Sequence, residues 1–139
     1  MREIKFRAWD GKNKEMTYLD NLWICYEYSS LCFGYEDSGI CEWGKKDVED
    51  YEIMQYTGLK DKNGKEIYEG DIIQFKANYT SKPCGYINGI IQWNDNGARF
   101  EFKAFNISEP YDLVEESDEG SYMWTVLGNI HENPKLANL

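Results

Sequence analysis

Apolar and polar residues alternate along this chain in short runs. A period of two matches half-buried β-strands, whose successive side chains point to opposite faces, and does not match the period of a helix. In the first run, Glu3-Ile-Lys-Phe-Arg-Ala-Trp9, Ile4, Phe6 and Ala8 fall on one face and Lys5, Arg7 and Trp9 on the other. Asp10-Gly11 opens a turn into Glu15-Met-Thr-Tyr-Leu19, so residues 3–19 read as a β-hairpin. Two further alternating runs follow, Leu22-Trp-Ile-Cys-Tyr-Glu-Tyr28 and Asp50-Tyr-Glu-Ile-Met-Gln-Tyr56, separated by a glycine-containing acidic stretch with no clear period.

Residues 57–70 hold Gly58, Gly64 and Gly70. Asn63-Gly64 favours a type I′ turn, because both residue types tolerate positive φ. This segment reads as a tight elbow between residues 1–57, a β-rich N-terminal subdomain, and residues 58–139. The second part alternates through Asp71-Ile-Ile-Gln-Phe75, Gly89-Ile-Ile-Gln-Trp93, Ala98-Arg-Phe-Glu-Phe-Lys-Ala-Phe105 and Tyr122-Met-Trp-Thr-Val-Leu127, with a turn at Asn96-Gly97. Short strands joined by one long loop and one tight hairpin predict a small SH3-like or OB-like β-barrel. Asn133-Pro134 supplies a cap and a first helical position for a short C-terminal helix. The fold class expected is mostly β: an N-terminal hairpin and sheet packed on a small barrel.

Composition narrows the functions. A chain of 139 residues is long enough to bury its own core. The charge of −10 is shared by both halves, which disfavours indiscriminate nucleic-acid binding, although the basic first strand leaves a local patch open. The start of the chain lacks the apolar core of a signal peptide, and no run is long enough to span a membrane, so a cytoplasmic protein with no membrane partner is expected. In that compartment Cys25, Cys32, Cys41 and Cys84 read as free thiols. They contain no Cys-x-x-Cys pair, and His131 is the sole histidine, so no metal site is expected.

Four segments carry a resemblance. Arg2-Glu-Ile-Lys-Phe-Arg-Ala-Trp-Asp10, the run from Gln55 through Thr57-Gly-Leu-Lys-Asp-Lys-Asn-Gly-Lys-Glu-Ile-Tyr-Glu-Gly-Asp71, the Trp93 strand, and Leu127-Gly-Asn-Ile-His-Glu-Asn-Pro134 together resemble the YopX family of small phage and prophage proteins. The resemblance implies a mostly-β protein with a barrel in its second half, and an origin in a phage or prophage of a Gram-positive host. It implies no activity.

A nucleophile beside a base, a Walker-type Gly-x-x-x-x-Gly-Lys and a Gly-x-Gly-x-x-Gly are all missing from the sequence. His131 lies in a polar turn with no triad spacing, and no catalytic residue or cofactor is assigned. Trp93, Phe100, Phe102 and Phe105 are assigned to the core rather than to base stacking. Arg7 and Trp9, with Lys5, are the candidate binding residues, as partner or subunit contacts, because Arg and Trp are enriched at interface hot spots. The alternative is that both faces of this strand are buried within one chain.

The expected function is therefore a non-enzymatic phage accessory protein. It would be a protein-binding or adaptor module that self-associates and acts on a host or phage protein. A nucleic-acid-binding barrel is the first alternative. The acidic stretches 36–52 and 109–119 suggest another, a DNA mimic occupying a host DNA-binding protein. An enzyme with a site shared between subunits is the last.

Overall fold

A computed structural model describes residues 3–19, 23–27, 30–34, 51–76, 85–105, 111–112 and 124–138. The described elements are β1 (Phe6–Asp10), β2 (Glu15–Leu19), β3 (Trp23–Glu27), β4 (Ser30–Gly34), β5 (Tyr51–Lys60), β6 (Glu66–Tyr68), β7 (Asp71–Lys76), β8 (Tyr86–Asn94), β9 (Arg99–Ala104), β10 (Tyr111–Asp112), β11 (Thr125–Asn129) and a 3-10 helix, Pro134–Asn138. The protein is mostly β, as the period-two pattern predicts. Close contacts divide the chain into two compact units, Met1–Tyr56 and Thr57–Leu139.

In the first unit β1 is a central strand. It pairs antiparallel with β2 (Ala8 opposite Thr17) and with β5 (Ala8 opposite Ile53), in the order β2-β1-β5. β1 has strand neighbours on both sides, and Arg7, Ala8, Trp9 and Asp10, from both of its faces, are all buried. Ile4, expected inside with Phe6 and Ala8, precedes the paired segment and is 69% exposed. β3 and β4 form a separate two-stranded ladder. β5 runs unbroken from Tyr51 to Lys60, so the segment read as an elbow is itself a hairpin of the end of β5 with β6. Gly58, at φ 94°, lies inside that strand.

The second unit is a five-stranded antiparallel sheet, ordered β10-β9-β8-β7-β11 and curved into a half-barrel. The register places Ile91 opposite Phe102, Trp93 opposite Phe100 and Ile73 opposite Gly89, so these residues share one face. That face carries the core: Ile73, Ile91, Phe100, Phe102 and Ala104, joined by Ile67 and Trp124, with Leu59, Ile87 and Val126 packed against them. Phe100 and Phe102 are core residues as expected. Trp93 sits at the rim, 42% exposed, edge-on to Phe100 at 5.0 Å.

One backbone–side-chain and one backbone–backbone hydrogen bond tie the β5–β6 hairpin to β11 and the residue before it. Asp61 Oδ2 accepts from Val126 N at 3.1 Å, and Lys62 N donates to the Trp124 carbonyl at 3.0 Å. The 62–64 turn is not type I′. Only Gly64 is left-handed (φ 81°), while Asp61 Oδ1 accepts the Asn63 and Lys65 N–H groups and sets the turn. At the other end Asn133 lies outside the helical segment. Its carbonyl accepts from Leu136 N, and its Oδ1 accepts from Asn129 N at 3.3 Å. A Cβ on Gly128 would overlap that amide oxygen, which is why glycine stands there.

Candidate functional site

The sequence-derived candidates lie on and before β1. Arg7 is 2% exposed, and its guanidinium Nη2 lies 3.6 Å from Met54 Sδ. Trp9 is likewise buried. The alternative, in which both faces of this strand are buried within the chain, describes them, so neither is displayed as an exposed partner contact. Lys5 is half-buried, 3.2 Å from Glu3 Oε1 and 5.8 Å above the Tyr56 ring. These residues form no shared exposed surface.

A different group of residues does, on the sheet face of β7, β8 and β9 opposite the core. The register sets Gln74 opposite Asn88, Gln92 opposite Glu101, Asn94 opposite Arg99, and Ile90 opposite Lys103. At the centre lies Glu101, a carboxylate only 4% exposed. Asn94 Nδ2 donates to its Oε2 at 2.6 Å and Gln92 Nε2 to its Oε1 at 2.8 Å. These two hydrogen bonds, Asn94 first, with the Arg99 and Lys103 charges behind them, hold the Glu101 carboxyl below the usual carboxylate range although burial opposes them. Glu101 is therefore ionised at neutral pH.

The carboxylate fixes its neighbours in turn. Asn94 gives its NH2 to Glu101 and takes the Gly97 N–H on Oδ1 at 3.0 Å, so its amide is oriented from both ends. Gln74 Nε2 donates to Asn88 Oδ1 at 2.9 Å, which orients a second amide pair on the same face. Around these fixed groups stand exposed Tyr86, Arg99 and Lys103. The surface thus combines preset amides with an aromatic ring and two cations, a composition suited to recognition.

The signal for this face was present in the sequence. Along β8, the amides Asn88, Gln92 and Asn94 fall on one face, interrupted by Ile90, while Ile87, Ile91 and Trp93 fall on the other. An alternation read only for its apolar half finds the core and misses the polar face.

The other buried carboxylates hold turns. Asp10 accepts from Tyr51 OH at 2.6 Å, from Asn13 N and Nδ2, and from Lys12 N, contacts that keep it well below its ordinary pKa. Burial pushes the Asp61 carboxyl up, but the N–H groups of Lys65, Val126 and Asn63 outweigh it and the net shift is downward. Asp71 accepts the Tyr68 N–H at 2.8 Å, the local backbone role its position after Gly70 suggests. Asn129 Oδ1 takes the His131 and Glu132 N–H groups, placing His131 in a tight turn. Among the described residues no group of three or more His, Cys, Asp or Glu is placed to hold a metal ion, and no helix is long and apolar enough to cross a membrane. The acidic stretches 36–52 and 109–119 fall largely outside the described residues.

The family model described as YopX protein matches residues 5–138. The chain belongs to the YopX family. Its fold is similar to that in the crystal structure of protein EF1440 from Enterococcus faecalis, at 28% sequence identity and a TM-score of 0.59, covering 99% of both chains. A search of curated proteins finds no match. YopX membership thus accounts for nearly the whole chain, and the sheet face described above lies within the matched region.

Proposed function

We propose that this YopX protein is a non-enzymatic binding module of a phage or prophage, working in the cytoplasm of a bacterial host. It would present the β7–β9 outer face to a protein partner. The observation that carries this reading is the Glu101 cluster: a buried, ionised carboxylate that fixes Gln92 and Asn94 beside exposed Arg99, with exposed Tyr86 farther along the same face of β8. A group held this way is poor as a general acid or base, because its low pKa disfavours taking up a proton at neutral pH, but it preorganises a surface. Similarity to an Enterococcus faecalis protein is in keeping with a Gram-positive host. The test is a pull-down from host lysate, split into nuclease-treated and untreated halves, with wild type and Tyr86→Ala/Arg99→Ala run in parallel. A stoichiometric protein retained after nuclease and lost with the variant supports the proposal. Equal capture by both chains contradicts it.

One observation favours a second reading. Tyr86, Arg99 and Lys103 share a face with oriented amides, a combination that also fits a single nucleic-acid strand, with the ring stacking on a base. That reading requires oligonucleotide binding that weakens steeply with salt, and the net charge of −10 weighs against it.

We also propose self-association, through β2. Among the described residues β2 is an edge strand with β1 as its ladder partner, Thr17 and Tyr18 on it are exposed, and it contains no proline, glycine or lysine to discourage pairing. Two copies paired antiparallel about Thr17 would set Glu15 against Leu19, avoiding like charges. Sedimentation should give twice the 16.3 kDa chain mass, and Thr17→Lys should return it to once that mass.

A further inference from the structure

The four cysteines read from sequence as free thiols, but the strand register brings two of them together. Cys25 in β3 and Cys32 in β4 are direct partners at the centre of the ladder, with Ile24 opposite Phe33 on one side and Tyr26 opposite Leu31 on the other. Direct partners in an antiparallel pair have Cα atoms about 4.5 or about 5.5 Å apart, depending on whether the pair is hydrogen-bonded. They also share a face of the ladder. Both separations fall within the roughly 4.4–6.8 Å that a disulfide spans. Cys41 and Cys84 lie outside the described residues.

We propose that Cys25 and Cys32 are a redox modification site, a cross-strand dithiol that converts reversibly to a disulfide. A low-molecular-weight disulfide of the glutathione class is the oxidant. One cysteine, as thiolate, attacks a sulfur of that oxidant, forming a mixed disulfide and releasing one small thiolate. The second cysteine's thiolate then attacks the protein sulfur of the mixed disulfide and expels the other. The protein loses two electrons and two protons, and the oxidant is reduced to two thiols. In a reducing cytoplasm the pair rests as dithiol and oxidises when the glutathione pool does.

The consequence follows from the isolation of this hairpin. Among the described residues, β3 and β4 pair only with each other, and a lone two-stranded hairpin is marginally stable in water. A covalent link at its centre fixes the register of a ladder that no other described strand supports. Oxidation would thus lock the β3–β4 pairing without involving the β7–β9 face.

The test equilibrates the full chain with mixtures of oxidised and reduced glutathione, quenches with acid, alkylates free thiols and maps peptides by mass spectrometry. The expected product is an intramolecular Cys25–Cys32 link, the peptide losing the mass of two hydrogens, and reversed by a dithiol reductant. A Cys41→Ser/Cys84→Ser chain should form it equally. Cys25→Ser and Cys32→Ser should each abolish it and leave a glutathione adduct on the remaining cysteine. Proteolysis within 23–34 should slow in the oxidised form. A link joining Cys41 or Cys84 in the wild type, or a Cys41→Ser/Cys84→Ser chain that stays fully alkylatable in excess oxidised glutathione, would overturn the proposal.

Discussion

Lys14 and Ala98 occupy the same place in two separate hairpins. Each is the last of four loop residues, the first between Asp10 and Glu15, the second between Asn94 and Arg99, and each is left-handed, at φ 60° and 48°. In both loops the residue before the turn accepts a backbone N–H on its side-chain oxygen, Asp10 from Asn13 and Asn94 from Gly97. The left-handed position is taken by a residue with a Cβ, although Gly11 and Gly97 stand nearby.

A left-handed non-glycine residue costs roughly 1–2 kcal/mol, against roughly 0.5–1 kcal/mol for the extra entropy of glycine. Ala98→Gly and Lys14→Gly should therefore each raise stability, by up to about 1 kcal/mol. Urea denaturation gives the answer directly: the midpoint should rise with the slope unchanged.

Gly89→Ala should do the reverse. A Cβ at Gly89 would lie 2.6 Å from Cε2 and Cζ of Phe102 and overlap the Lys103 carbonyl. Phe102 is wholly buried in the core, so the ring has no room to retreat. Overpacking of this kind costs about 1–3 kcal/mol, measured by the same denaturation.

Asp61→Ala removes the acceptor for Asn63 N, Lys65 N and Val126 N at one stroke. Each buried donor left unsatisfied costs about 1–3 kcal/mol, with water recovering part at the exposed turn. A loss of about 2 kcal/mol or more is expected. Hydrogen exchange should speed at Val126, 65 residues away in sequence.

Acid should weaken the fold through Asp10, Asp61 and Glu101. Their carboxyls titrate lower in the folded chain than their ordinary values of 3.8, 3.8 and 4.5. The unfolded chain therefore binds protons first as pH falls. The stability they contribute is complete above these ordinary values and is lost as pH drops through them toward the folded pKa values. Denaturation midpoints should be flat from neutral pH to about 5 and fall below about 4. Glu101→Gln should reduce that fall, since it removes one of the three titrating groups.

Much of the fold was legible because the period-two pattern and the turn residues agree. The 3–19 hairpin, Phe100 and Phe102 in the core, and Asp71 bonding local backbone all follow from residue type and spacing. Other features were not legible, for identifiable reasons. Ile4 reads as buried by alternation, but alternation cannot tell where pairing begins. β5 continues through Gly58 because one left-handed glycine fits inside a strand, whereas three glycines in a short span read as a break. Arg7 and Trp9 read equally as a partner contact or as buried within one chain, because a strand's own sequence does not say what covers its second face; their burial decides it. The Glu101 face depends on register between β8 and β9, and so does the opposition of Cys25 and Cys32 in β3 and β4. Neither register is written in one strand's own sequence.

The measurement that tests the central claim most directly is an NMR titration of the full chain with the protein recovered by pull-down, following the side-chain amide signals of Gln74, Asn88, Gln92 and Asn94. Perturbations centred on these amides and on the backbone N–H groups of Tyr86 and Arg99 are the predicted result. Shifts confined to β1 and β2, or to the Trp93 rim, with the four amides unmoved, would contradict the assignment of the β7–β9 face as the binding surface.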